Sequence, residues 1–291
     1  MGFSEARRLL RRLLARRGAA LSLAFLAVVA LAALFAGLMP LDPLRQNIAE
    51  SLKPPSPEAW FGTDELGRDI LARVVYGART SLVTAFGAVV IAALIGVPVG
   101  LVAGFYGDWR DSILMRCIDV LLALPNILFA MALIAVLGRS QGAALVAVGV
   151  AGIPGFARIA RAQVMALRQL DFVMAVRGFG GGPAYIMFRT ILPNALSPLV
   201  VQAIVLASIA ILLEAALAFL GVGVPPPTPS WGEMLRTGKS YLYEAPSYAV
   251  LPGLVLTLTI LSFDTIGRAL TAIIDRDETD AIHETAGGGR R

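Results

Sequence analysis

The segment DFVMAVRGFGGGPAYIMFRTILPN, Asp171 to Asn194, interrupts a chain otherwise built of long apolar runs. Phe172, Val173, Val176 and Phe179 recur at helical spacing and predict a short helix with one apolar face. The GFGGGP that follows lowers helix propensity by roughly 1 kcal/mol per glycine, so the chain must turn there. A second helical piece is expected over Ala184–Leu192, presenting Ile186, Met187, Ile191 and Leu192, and Pro193 with Asn194 marks the start of the next run. Two short helices joined by a glycine elbow cannot bury their apolar faces on each other alone. They either lie on a membrane surface or dock into another protein.

Outward from this segment the chain is lipid-compatible. Of its 291 residues 57% are hydrophobic and 15% charged, well below the roughly 25% charge of soluble domains, and mean hydropathy is +0.75. Several runs exceed the 18 or so apolar residues that cross a hydrocarbon core about 30 Å thick, and helices satisfy their own backbone groups there. The short alternating segments of a membrane β-barrel are missing. The pattern predicts an all-α integral membrane protein with six transmembrane helices, over Gly18–Met39, Ser81–Phe105, Ile113–Leu137, Ala143–Val164, Leu196–Leu220 and Tyr248–Ala272. The first run outlasts the roughly 7–15-residue core of a signal peptide and reads as a retained anchor.

Arginine placement sets the orientation. RRLLRRLLARRG carries Arg7, Arg8, Arg11, Arg12, Arg16 and Arg17, and the region around the opening segment carries Arg158, Arg161, Arg168, Arg177 and Arg189 against Asp171. Both are expected in the cytoplasm, giving N-in, C-in. Leu41–Thr80 and Gly221–Ser247 have balanced charge or lie between spans that exit outward, and are expected outside. The organisation that follows is residues 1–80 as cytoplasmic arm, first span and extracytoplasmic segment. Residues 81–272 form a five-helix core with cytoplasmic loop 165–195 and outer loop 221–247, and 273–291 form a cytoplasmic tail ending in a disordered GGGRR. The net charge of +5 is explained by arginines flanking spans, so membrane lipid and not nucleic acid is the expected partner. A lone Cys117 and a lone His283 offer neither a disulfide nor a metal cluster.

Gly96, Gly100 and Gly104 give one helix face almost no side-chain volume and predict a close helix contact, favoured as internal because such patterns occur in all bundles. Pro98, Pro125 and Pro154 interrupt three spans and are expected to bend them. Arg116 with Asp119, and Asp264 with Arg268, can pair along one helix face. Glu214, in ILLEAALAFLG, has no basic residue within a turn. At mid-bilayer a carboxylate costs roughly 2.5–3.5 kcal/mol, so Glu214 is expected either in a structural hydrogen bond or lining a translocation pathway. Reactive constellations are lacking: GEMLRTGKS, Gly232 to Ser240, ends like a phosphate loop, but its glycine spacing is wrong and no strand precedes it. The expectation is a chain that is not an enzyme and borrows energy from elsewhere.

GFGGGPAYIMFRTILPN resembles the cytoplasmic coupling-loop signature of bacterial ABC importer permeases, with Gly180, Ile186, Leu192, Pro193 and Asn194 matching it. WFGTDELGRDILARVVYGARTSL at Trp60–Leu82, DVLLALP at Asp119–Pro125 and EAALAFLGVGVPPPTPSWGEML at Glu214–Leu235 are similar to the C-type permease of the dipeptide/oligopeptide/nickel importers. The resemblance covers about Arg8 to Asp275. It implies a type I ABC importer permease fold in the bacterial cytoplasmic (inner) membrane, multi-pass, with a cytoplasmic coupling helix. It also implies a heterodimer with a homologous B-type permease, two ATP-binding subunits and an extracytoplasmic substrate-binding protein. No cofactor is then bound by this chain; ATP and Mg2+ belong to the partner ATPases. Coupling contacts are expected from Asp171, Met174, Ala175, Arg177, Gly180, Ile186, Leu192, Pro193 and Asn194. One departure stands out: the family's glutamate falls at Met174, with Ala175, Arg177 and Gly180 retained.

On the outer side, the four prolines of GVPPPTPSWGEML stiffen a loop that delivers Trp231 as an interface anchor or a lid. Phe61, Asp64, Arg68 and Trp231 are the expected contacts for a binding protein. The function this implies is ATP-driven import of di- or oligopeptides; nickel or glutathione import, or a stand-alone ion-coupled carrier or channel, are the alternatives.

Overall fold

The computed structural model describes residues 3–287, with side chains described over 9–274. Helix α1 (Phe3–Leu14) turns at Ala15 and Arg16 into the first apolar span, α2 (Arg17–Phe35). An irregular outer segment follows, then α3 (Ile70–Tyr106), whose first turn is capped by Asp69 accepting from the Leu71 and Ala72 amides. Gly107, at φ +67°, ends it. Next come α4 (Trp109–Leu122), α5 (Asn126–Leu137) and α6 (Gln141–Leu167), the last capped by Ser140. The opening segment folds as α7 (Asp171–Gly178), α8 (Pro183–Tyr185), a π-helical stretch (Ile186–Ile191) and α9 (Leu192–Asn194). Ala195, with helical dihedrals, carries it directly into α10 (Leu196–Phe219). The outer loop holds α11 (Trp231–Gly238), and α12 (Ser247–Gly287) closes the bundle. Among the described residues there is no strand, only one bridge between Thr63 and Asp69. Most of the expected GGGRR end lies outside the described residues.

Five helices, α2, α3, α6, α10 and α12, are long and apolar enough to cross a membrane. The sixth expected span, Ile113–Leu137, is broken: α4 and α5 meet at 88° across Ala123–Pro125. Pro125 cannot continue a helix from Leu124, and α4 bears Arg110, Asp111, Arg116 and Asp119, charges that belong at an interface. The 12 residues of α5 rise about 18 Å, short of a full crossing by themselves. Pro98 and Pro154, by contrast, lie inside continuous helices. Helix α3 starts at Ile70, not near Ser81, because Ile70 and Val74 are buried beneath the outer segment.

Charge pairs fasten α4 to α6. Asp111 accepts from Nε and a terminal nitrogen of Arg161, each at 2.6 Å, the two-point geometry a planar guanidinium favours. Asp119 does not pair with Arg116 along its own helix; it accepts from Arg158 of α6 at 2.7 Å. Asp264 and Arg268 do pair within α12.

The glycine stripe of α3 is an internal contact, against α6. A Cβ added at Gly100 would lie 2.2 Å from the Ala157 carbonyl oxygen, and one at Gly104 2.7 Å from that of Arg161. Ala88 and Ala92 continue the stripe at the same spacing, fully buried. With no hydrophobic drive between helices in lipid, this close approach supplies the packing that holds the two together.

Candidate functional site

The cytoplasmic segment is rooted in the chain's own helices. Val173 of α7 and Ile186, Met187 and Ile191 of the π-helical stretch are buried against Leu101 of α3 and Val164 of α6. One apolar face therefore finds cover within the chain, a third possibility beside the expected membrane surface or partner protein. The cover comes from the cytoplasmic ends of α3 and α6. Gly180, at φ +86°, makes the elbow in a backbone region that glycine adopts without strain.

What remains outside is a second apolar surface. Phe172, Met174 and Tyr185 are exposed, and Phe179 projects with 92% of its surface free. Phe179 and Tyr185 line a shallow concavity floored by Gly180, Gly181 and Gly182. Arg177 is exposed and its guanidinium lies 5.7 Å from the Phe105 ring centre, near enough for a cation–π contact that orients it. Of the expected coupling residues, Asp171, Met174, Ala175, Arg177, Gly180, Pro193 and Asn194 are exposed. Ile186 is not: it is a buried anchor, and Leu192 is half-buried beside it. The Asn194 amide donates to the Thr190 carbonyl at 2.7 Å and braces the end of the π-helical stretch.

At the outer end the expected contact residues turn inward. Asp64 is fully buried, accepting from Arg68 Nε at 2.6 Å and lying 3.4 Å from Arg73 Nε. Arg73, itself buried, reaches Glu233 of α11 at 3.2 Å. Three carboxylates, Asp64, Glu65 and Glu233, face three guanidiniums, Arg68, Arg73 and Arg236. Trp231 is fully buried and donates its indole N–H to the Val74 carbonyl at 3.0 Å, so it is neither a lipid anchor nor a free lid. Phe61 is half-buried against the same cluster. Asp64, Arg68 and Trp231 thus build the outer surface without presenting their side chains on it; the exposed aromatics there are Trp60 and Tyr243.

Comparison with known proteins gives the family. The family model for the inner membrane component of binding-protein-dependent transport systems matches residues 96–279, and the N-terminal transmembrane domain of oligopeptide transport permease C matches residues 4–55. The dipeptide transport system permease protein DppC of Alkalihalophilus pseudofirmus is 43% identical over 84% of this chain and 81% of its own length. The di/tripeptide permease DppC of Pseudomonas aeruginosa is 41% identical over 89% and 88%. The chain belongs to this permease family. It is a multi-pass subunit of the bacterial inner membrane, a translocation component of an ABC importer and not an enzyme. Its fold agrees with that of the inward-facing MetNI methionine ABC transporter, at a TM-score of 0.54 and 20% identity, covering 69% of this chain and 97% of the other.

Within this permease, Glu214 sits in the last turn and a half of α10, toward its C-terminal end. Its carboxylate accepts from Ser81 of α3 at 2.9 Å with both side chains buried. Hydrogen bonding, not an open pathway, occupies it in this conformation. Sequence reasoning missed Arg73 and Glu233. Arg73 sits inside an apolar helical pattern, a signal for a buried partner, but that partner is 160 residues away and no local spacing points to it.

Proposed function

We propose that the permease is the C-type half of a heterodimer that imports di- or oligopeptides, driven by ATP hydrolysis in two partner subunits that hold the ATP and Mg2+. A homologous B-type permease completes the pathway, and an extracytoplasmic binding protein delivers cargo. The observation that carries this reading is the division of Asp171–Asn194 into a buried root and an exposed face. Val173, Ile186 and Ile191 fix the segment to α3 and α6, while Phe179, Met174 and Tyr185 face outward. A stand-alone carrier has no use for an exposed aromatic on a braced cytoplasmic loop. An ATPase groove does: aromatic side chains seated in a pocket dominate protein contacts, and flanking charge sets register. Closure of the ATPase pair would then move the two permeases as rigid bodies between inward- and outward-open states. On the outer side, Trp60, Tyr243 and a cleft of about 700 Å3 lined by Arg45, Lys53, Asp42 and Glu58 suit a landing protein.

Peptide cargo is supported by the names of the relatives above. A glutathione permease of Pectobacterium atrosepticum, 40% identical over 76% of this chain, keeps a thiol tripeptide as the second candidate. Reconstitution with cognate partners tests the proposal. Uptake of labelled dipeptide should require ATP and be lost in R177E/F179E. Uptake that persists in that variant would refute the coupling role, and flux through the isolated chain down an ion gradient would refute the importer assignment.

A further inference from the structure

The N-terminal helix has a use that the import reading does not absorb. In α1, Leu13 is buried at 8% exposure, packed with Ala269, Leu270 and Ile273 of α12 and Ala19 of α2, and Leu9 packs beside it. Leu10 and Leu14, one position further round the helix, are left 50% and 52% exposed. At 100° per residue these four leucines form one continuous apolar arc, of which α12 covers only half. Arg11 and Arg12 lie on the other side, exposed, and Arg17 is exposed where α2 begins. The Arg16 guanidinium donates to the Ala269 carbonyl at 3.4 Å, tying the turn to α12.

What covers the open half follows from connectivity. Only Ala15 and Arg16 separate α1 from α2, which is itself long and apolar enough to span the membrane. The helix is therefore held at the mouth of a span, where the nearest apolar phase is the lipid boundary and the nearest anions are lipid headgroups. Leucines on one face and arginines on the other match that boundary in both character and sign.

We infer that α1 is an in-plane helix that takes anionic phospholipid, with Leu10 and Leu14 among the acyl chains and Arg11 and Arg17 on the headgroup phosphates. Through Leu13 and Arg16 it braces the cytoplasmic end of α12 against the membrane surface.

The test uses the assembled importer in nanodiscs of phosphatidylcholine, with or without phosphatidylglycerol. In a C117S background, a spin label at L14C should be more accessible to oxygen than to a water-soluble nickel chelate. Phosphatidylglycerol carried through purification should fall by about tenfold in R11Q/R17Q, with the melting temperature unchanged because both side chains are exposed. A label equally open to the nickel chelate with and without phosphatidylglycerol would overturn the proposal. So would shielding that is lost when the ATP-binding subunits are stripped from the assembled importer, which would make the face a protein contact. Unchanged phosphatidylglycerol retention in R11Q/R17Q would overturn the headgroup assignment.

Discussion

Ser81 of α3 donates a hydrogen bond to Glu214 of α10 at 2.9 Å, and both side chains are buried, at 0% and 1% exposure. Ser230 of the outer loop lies against the same carboxylate, although its other oxygen makes no hydrogen bond of good geometry. Removing the hydroxyl with S81A strips the carboxylate of that donor and should cost about 1–3 kcal/mol. E214Q, which keeps a polar group of the same shape, should cost less than S81A. Thermal unfolding of the purified complex ranks the two, and a more severe loss in E214Q would mean that the charge itself is needed.

The buried ion pair at the outer end makes a sharper demand. R73L leaves Glu233 and Asp64 short of a counter-charge in the interior and should destabilise by about 3–5 kcal/mol. Removing both charges in R73L/E233L should be milder than the sum of the single changes. A double-mutant cycle on unfolding midpoints measures this, and strict additivity would show that the two residues do not communicate.

Close approach between α3 and α6 can be tested at Gly100. Even an added methyl would sit 2.2 Å from the Ala157 carbonyl oxygen, so G100A must push the helices apart, at about 1–3 kcal/mol. Gly37, where nothing lies within 4 Å, is the control: G37A should be neutral within about 0.5 kcal/mol. The comparison is read as melting temperature and yield of the assembled complex.

The cytoplasmic segment separates into two kinds of variant. F179S alters a side chain that is almost wholly exposed and should leave the melting temperature unchanged. If Phe179 is an anchor in the ATPase groove, its loss should weaken subunit association by about thirtyfold, a hot-spot effect of roughly 2 kcal/mol. I186A opens a cavity among Leu101, Val164 and Ile191 and should lower stability by about 2–5 kcal/mol. M174E, at an exposed position, should fold normally and change only ATPase affinity. Binding measured by surface plasmon resonance beside a thermal melt distinguishes these outcomes.

The spans were readable because an apolar run long enough to cross lipid leaves few other structures open, and the fold follows from that. Gly96, Gly100 and Gly104 announced a contact but could not name α6 as its partner, since small residues fit any helix. Pro125 announced a bend; the 88° angle depends also on α4 being tied to Arg158 and Arg161, which lie some 40 to 50 residues on in the chain. The outer network was hidden for the same reason. Asp64, Arg68 and Trp231 look like surface recognition residues in the sequence; Asp64 and Arg68 pair locally with each other, but their burial rests on Arg73, which ties Asp64 to Glu233 of α11, and Trp231 turns in to the distant Val74 carbonyl. The two-sided nature of the cytoplasmic segment was half legible: its apolar positions were visible, but which of them face the bundle depends on where α3 and α6 end.

The π-helical stretch at Ile186–Ile191 has a mechanical consequence. Because it leads through α9 and the single turn residue Ala195 into α10, a short, nearly continuous helical path joins the elbow beside Phe179 to the carboxylate of Glu214. The 24 residues of α10 alone extend about 36 Å at 1.5 Å per residue. A displacement at the cytoplasmic end would be carried along this backbone toward the contact between α10 and α3 at Ser81 and Glu214.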